Sequence, residues 1–316
     1  MKYFEIIPAD GYIWNRDEFL KFLISNQGEE IVISIRSEGA CLKTAGVYAL
    51  LDLFKFKQVT IRTSNIFEAH DVYTIDIHDA FKFFKISDVD YTQYHVWNQH
   101  KLFGVLYNRP IWHRMGIASH VLHNHSDKAV INFRANPHLE DDRKLFELQK
   151  LFEVNPASAS QFLQHQTDFP IQLENQDGYT VGATTQRHTD QLAIFYRDFL
   201  IDIVGETFVA GKTFFVTEKT ARPMLMKKPF IVMGSKCFLI HLRQMGFKTF
   251  NDFWSEDYDG YSGKDRYNAI LDIVDKLAKK SLDELGKMYY NMNSILDHNY
   301  NLLLSQQYNQ ILEYVD

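Results

Sequence analysis

The stretch of this 316-residue chain richest in chemistry is Gly205-Glu-Thr-Phe-Val-Ala-Gly-Lys-Thr-Phe-Phe-Val-Thr-Glu-Lys-Thr-Ala-Arg-Pro223. Thr217 has the residue type of a helix N-cap, which places Glu218 and Lys219 in the first turn. Free backbone N–H groups and the helix dipole favour an anion there. The carboxylate can accept from ribose hydroxyls, and the lysine can reach a phosphate. Pro223 lies about six residues into that helix, where it costs about 3 kcal/mol unless the helix kinks or starts later. From Gly205 to Phe250 there are eight Lys and Arg but two Glu, a local +6 against a net charge of −6, so the remainder carries −12. That distribution fits a phosphate-bearing small ligand better than a long nucleic-acid track.

Other residue patterns carry weaker chemistry. Asp257-Tyr-Asp259 and Asp88-Val-Asp90 are D-x-D strings of the kind that ligate Mg or Mn, but such strings are frequent in an acidic chain and a basic region makes the metal redundant. His120, His123 and His125 are spaced for zinc, yet they straddle a helix end with no acid or Cys adjacent in sequence, so helix capping is the expectation and no metal site is assigned. Tyr91, Tyr94, Trp97 and Phe103 have the chemistry to stack on a sugar or base, and are expected in an inter-domain core. P-loop, dinucleotide-fingerprint, zincin and α/β-hydrolase motifs are absent from the sequence.

The elements that must position these groups alternate along the chain. Strands are expected at 3–7, 31–35, 58–62 and 71–77, with helices at 16–25 and 42–54, which makes a parallel, doubly wound sheet. A second unit opens near residue 100. It has strands at 101–107, 129–133, 192–204 and 230–233, and helices at 112–122, 141–152, 157–165, 218–226, 236–245, 265–280 and 282–307. The polar stretch 167–189 reads as a long surface loop. Two domains, 1–99 and 100–316, would face each other across a cleft, with ligands at the carboxyl ends of strands. Hydrophobic residues at 46% and aromatics at 15% exclude long disorder. Two cysteines, far apart, exclude a disulfide framework and fit a reducing compartment. With no signal-like start and no membrane-length apolar run, a cytoplasmic protein without a membrane span is expected.

The order F-V-T-E-K followed by P-F-I-V-M-G resembles the donor-binding half of the α-1,3-fucosyltransferase family. Upstream, Tyr107-Asn108-Arg109-Pro-Ile-Trp-His-Arg114 resembles the strand and Arg-bearing helix that open that family's second domain. The whole chain is also similar to phage-type glycosyltransferases, through E-G-x-x-L, N-R-P-x-W-x-R and G-F-K-T-F. The resemblance implies a GT-B architecture, two Rossmann-like domains with a nucleotide-sugar donor, a co-substrate and no other cofactor, held by the second. It places Asn108 and Arg114 at donor-contacting positions, Glu206 where the family has Asn, and Glu218 and Lys219 on ribose and phosphate; Arg109, Thr217 and Arg222 complete the donor-side set. Arg109, Arg114 and Lys219 would neutralise the departing diphosphate in place of a metal. Glu38, just past the apolar strand 31–35, is the candidate base for an acceptor hydroxyl, with Asp71, Asp76, Asp79 and Asp90 as competitors. The acceptor is either a hydroxylated or hydroxymethylated pyrimidine of phage DNA or a glycan. A non-catalytic nucleotide-binding or host-interaction protein is the alternative, favoured by the acid at position 206.

Overall fold

The computed structural model describes residues 1–35, 39–77, 90–133, 142–171, 173, 191–261 and 263–305. Within them the chain is α/β, built on two four-stranded sheets whose strands are all parallel. The first contains β1 (Lys2–Glu5), β4 (Glu30–Ser34), β5 (Gln58–Thr63) and β6 (Thr74–Ile77), adjacent in that order. Its core joins Phe19 and Leu23, one helical turn apart on α1 (Arg16–Ser25), to Ile31 and Ile33 of β4 and Ile61 of β5. The strand order advances in one direction only, so among the described strands this sheet lacks the reversal that a doubly wound sheet has.

The second sheet does reverse. Its spatial order is β10 (Phe230–Met233), β9 (Ile201–Gly205), β7 (Phe103–Tyr107), β8 (Ala129–Phe133). The chain first steps outward from β7 to β8 through α3 (Trp112–His125), then returns through α4 (Asp142–Val154) and α5 (Pro156–Gln164) to the other side of β7. A topological switch point therefore lies between β7 and β9, and the crevice beyond their carboxyl ends is where such sheets take ligands. α6 (Glu218–Leu225) links β9 to β10, and α7 (Phe238–Gln244), α8 (Gly263–Ala278) and α9 (Leu282–Ser305) complete the unit.

Two elements depart from the sequence expectation. The apolar run 192–204 is strand only from Ile201; Ile194–Arg197 is a 3-10 turn, because continuous hydrophobicity marks burial without fixing the period. Helix 42–54 contracts to α2 (Val47–Leu51), preceded by turns up to Gly46. The loop expectation at 167–189 falls largely outside the described residues. Tyr91 and Phe103 are buried in the second core, with Tyr94 and Trp97 packed against it.

An unexpected hairpin joins the halves. Pro8–Ala9 (β2) pairs antiparallel with Tyr12–Ile13 (β3) around a two-residue Asp10-Gly11 turn, where Gly11 adopts φ 85°. Positive φ at little steric cost is what glycine supplies to such turns. No helix among the described residues is long and apolar enough to cross a membrane.

Candidate functional site

Two cavities lie where the halves meet, and Asp10 lines both. The smaller, about 500 Å³, sits at the switch point. Arg109, Pro110 and Ile111 reach it from the end of β7 and Thr207 from the end of β9, while the hairpin of the first half and Arg143, Lys144 and Glu147 of α4 close it. The larger, about 750 Å³, is lined by Phe67 from the first half and by Lys150, Lys212, Lys236, Arg266 and His241 from the second. Its lining surface is mostly apolar; its cations outnumber its acids, Asp10 and Glu153, but Lys150 and Arg266 already donate to backbone carbonyl oxygens.

Asp10 is a junction rather than a free carboxylate. It is 4% exposed; one oxygen accepts from Val209 N–H at 2.9 Å and Ala210 N–H at 2.8 Å, and the other from Trp112 Nε1–H at 3.2 Å. Glu147 faces the same tryptophan from α4. Its carboxylate accepts the Trp112 backbone N–H at 3.0 Å and the Tyr12 hydroxyl at 2.9 Å, so it occupies the first turn of α3. Burial raises its pKa, with Lys150 opposing. Neither acid was singled out from sequence, although Asp10-Gly11 is a hairpin signal that could have marked the first.

The residues expected on donor grounds divide. Arg109 is exposed and lines the switch-point cavity, and Asn108 stands half-buried beside it at the end of β7. Arg114 is 1% exposed: Nε donates to Gly205 O at 3.0 Å and Nη2 to the Thr207 hydroxyl at 3.4 Å, so it backs the cavity wall through Thr207. Its neighbour His113 donates Nε2–H to Glu206 O at 2.8 Å, since a carbonyl can only accept, and burial pushes its pKa well down. That leaves His113 Nδ1 bare, buried and without a partner.

Glu206 and Thr217 work on each other instead of facing the cavity. The buried Glu206 carboxylate accepts the Thr217 hydroxyl at 2.7 Å, the Thr217 N–H at 3.3 Å and the Thr220 hydroxyl at 2.6 Å, which ties the end of β9 to the start of α6. Thr217 caps α6 through the Lys219 N–H, as its residue type requires. Lys219 Nζ pairs with Glu218 at 2.9 Å. Burial opposes the Glu218 charge, but Lys219 and Arg222 prevail and hold its pKa down to about 2. Arg222 is 2% exposed and lines neither cavity; its Nε and Nη1 lack partners, and it acts electrostatically on Asp202 and Glu218. Pro223 does stand inside α6, as its sixth residue, and the helix ends two residues later at Leu225.

The segment between Glu206 and Thr217 leaves the second half and fastens to the first. Asn65 Nδ2 donates to Lys212 O at 3.0 Å, Asn65 Oδ1 accepts from Phe214 N–H at 3.2 Å, and the Thr213 hydroxyl donates to Gly39 O. Phe208 and Phe215 pack with Ala40, and a Cβ on Gly39 would lie 2.4 Å from Phe215, so this approach requires glycine. Glu38, the candidate base, lies outside the described residues, as do Asp79 and Asp88. Asp76 pairs with Arg62 at 3.2 Å, and Asp90 accepts from Thr92 N–H at 2.9 Å. Asp259 of the second D-x-D string accepts the Leu239 and Ile240 N–H groups of α7, and Asp257 the Ser255 hydroxyl.

No family model, curated protein or solved structure matches this chain.

Proposed function

We propose that the chain is a GT-B-type glycosyltransferase that takes a nucleotide-sugar between its halves and passes the sugar to an acceptor hydroxyl. The observation carrying this reading is the reversal of strand order between β7 and β9. It opens the 500 Å³ cavity at the carboxyl ends of both strands, beside Arg109, Arg143 and Lys144 and under the hairpin of the opposite half. Departure of a nucleoside diphosphate concentrates negative charge, which cations at that position stabilise. In this reading Arg109 contacts the diphosphate and Arg114 fixes the wall through Gly205 and Thr207. The cations of the larger cavity draw in the rest of the donor or an anionic acceptor. Glu38 is the proposed base; Glu147, a carboxylate whose pKa burial raises at the cavity edge, is the second candidate. The acceptor follows the same two options, a modified pyrimidine or a glycan hydroxyl.

The test is a melting-temperature series with UDP-, GDP-, ADP-, CMP- and dTDP-sugars, followed by donor hydrolysis. A ligand at about 100 times its Kd adds about 2.7 kcal/mol, well within detection. Stabilisation by one nucleotide class with slow release of sugar to water is expected. Stabilisation without any turnover would favour the non-catalytic alternative, and indifference to every donor would end both readings.

A further inference from the structure

Two histidines of α3, set aside in sequence for want of an acidic partner, acquire one from the other end of the second half. His120 Nε2 lies 2.8 Å and His125 Nε2 2.6 Å from the same oxygen, Oδ1 of Asp275 on α8. Residues five apart on a helix do not share a face, but His125 leaves helical geometry at φ −144°, ψ 28°, which brings its ring back beside that of His120. The ring centroids are 5.9 Å apart, and the three ligand atoms all lie within 4.8 Å of one another.

We propose that His120, His125 and Asp275 form a binding site for a divalent cation of the zinc class. Two imidazoles and a carboxylate are a borderline donor set that favours Zn²⁺ over Mg²⁺ or Ca²⁺. Tetrahedral zinc with bonds of about 2.0–2.1 Å needs its ligand atoms about 3.3 Å apart. Binding requires the two N···O separations, 2.8 and 2.6 Å, to widen to that value, and the Asp275 side chain, 38% exposed, has solvent on one side into which to withdraw. The same exposure leaves a fourth position to water. The side chains of His120 and His125 are 11% and 14% exposed, so both rings are already held by packing. Asn124 stands at the rear of the His120 ring, its amide 3.2 Å from Nδ1. The Asn124 Nδ2 also donates to the His120 carbonyl oxygen at 3.0 Å, which holds the amide in this orientation. His123 takes no part: its Nδ1 faces His165 Nε2 at 3.1 Å, and His165 Nδ1 in turn meets Asp168 at 2.7 Å. A bound cation would pin the end of α3 to α8 at the far end of the helix from Arg114, about 17 Å along its axis.

The test uses the full chain stripped with chelator. Equilibrium dialysis against Zn²⁺ should load about one equivalent, and Co²⁺ should give the visible absorption of a four-coordinate site. Asp275→Asn keeps an acceptor oxygen for both histidines, so it should melt like the parent in EDTA while losing Zn²⁺ affinity by more than about tenfold, the cost of disturbing even an outer partner. His120→Ala should lose it as well, and His165→Ala should not. Absence of stoichiometric Zn²⁺ in the parent, affinity unchanged in Asp275→Asn, or affinity lost in His165→Ala instead would each overturn the site. The Co²⁺ spectrum of the parent decides the matter even where a variant fails to fold.

Discussion

Replacing Glu206 separates a framework role from a ligand-contacting one. Its carboxylate receives three hydrogen bonds from Thr217 and Thr220, and it is the foremost charge opposing the burial that lowers the pKa of Arg114. Glu206→Ala leaves one backbone N–H and two hydroxyls without their acceptor and strips a guanidinium, 1% exposed, of its counter-charge. Breaking a buried charged cluster from one side costs about 3–5 kcal/mol. Glu206→Gln keeps one acceptor oxygen, for the Thr217 N–H and the Thr220 hydroxyl, but removes that of the Thr217 hydroxyl, whose own oxygen already accepts from Lys219, so about 1–3 kcal/mol is lost. Urea unfolding, followed by tryptophan fluorescence and circular dichroism, should rank the parent above Glu206→Gln above Glu206→Ala. Whatever fraction stays folded should keep the parent's nucleotide affinity. A loss below about 1 kcal/mol in Glu206→Ala, accompanied by loss of nucleotide binding, would refute the framework role and return this acid to the ligand.

Three further outcomes follow from the geometry. Arg109→Ala should weaken the donor about tenfold, as expected for one charge-assisted contact, with an unchanged urea midpoint because the side chain is exposed. Glu218, held at about 2 in the fold against an ordinary value of 4.5, contributes stability above pH 4.5 that is lost as pH falls toward 2; it amounts to about 3 kcal/mol at most, and Glu218→Gln should flatten that part of the acid-unfolding curve. Lys228 runs the other way. Burial lowers its pKa to about 7 from 10.5, so the folded state binds fewer protons than the unfolded one between those values and stability rises with pH across them; Lys228→Met should abolish the rise in urea midpoints measured from pH 7 to 10.5.

The strands β8 and β10 were legible to the residue because each is a short β-branched and aromatic run flanked by turn signals, and α6 because Thr217 declares its cap. The run 192–204 misled because period, not hydrophobicity, separates a buried helical turn from a buried strand. Thr217-Glu218-Lys219 was legible as a helix start, but its side chains spend their capacity on one another and on Glu206, which spacing alone does not reveal. Asp10, Glu147 and Lys150 line the cavities through contacts spanning 135 to 200 residues. Asp275 reaches the histidines across 150 or more, and such pairings exist only once the chain is folded.

The crossing of 207–216 onto the first half constrains how the molecule can gape. Any swing that separates the halves must break the hairpin's bonds to Trp112 and Glu147, and must either rupture the links to Asp10, Asn65 and Gly39 or carry this segment along with the first half. In the second case the bending falls on Glu206 and Thr217, the two residues already clasped together, so the clasp that steadies α6 would also serve as the axle on which the cleft turns.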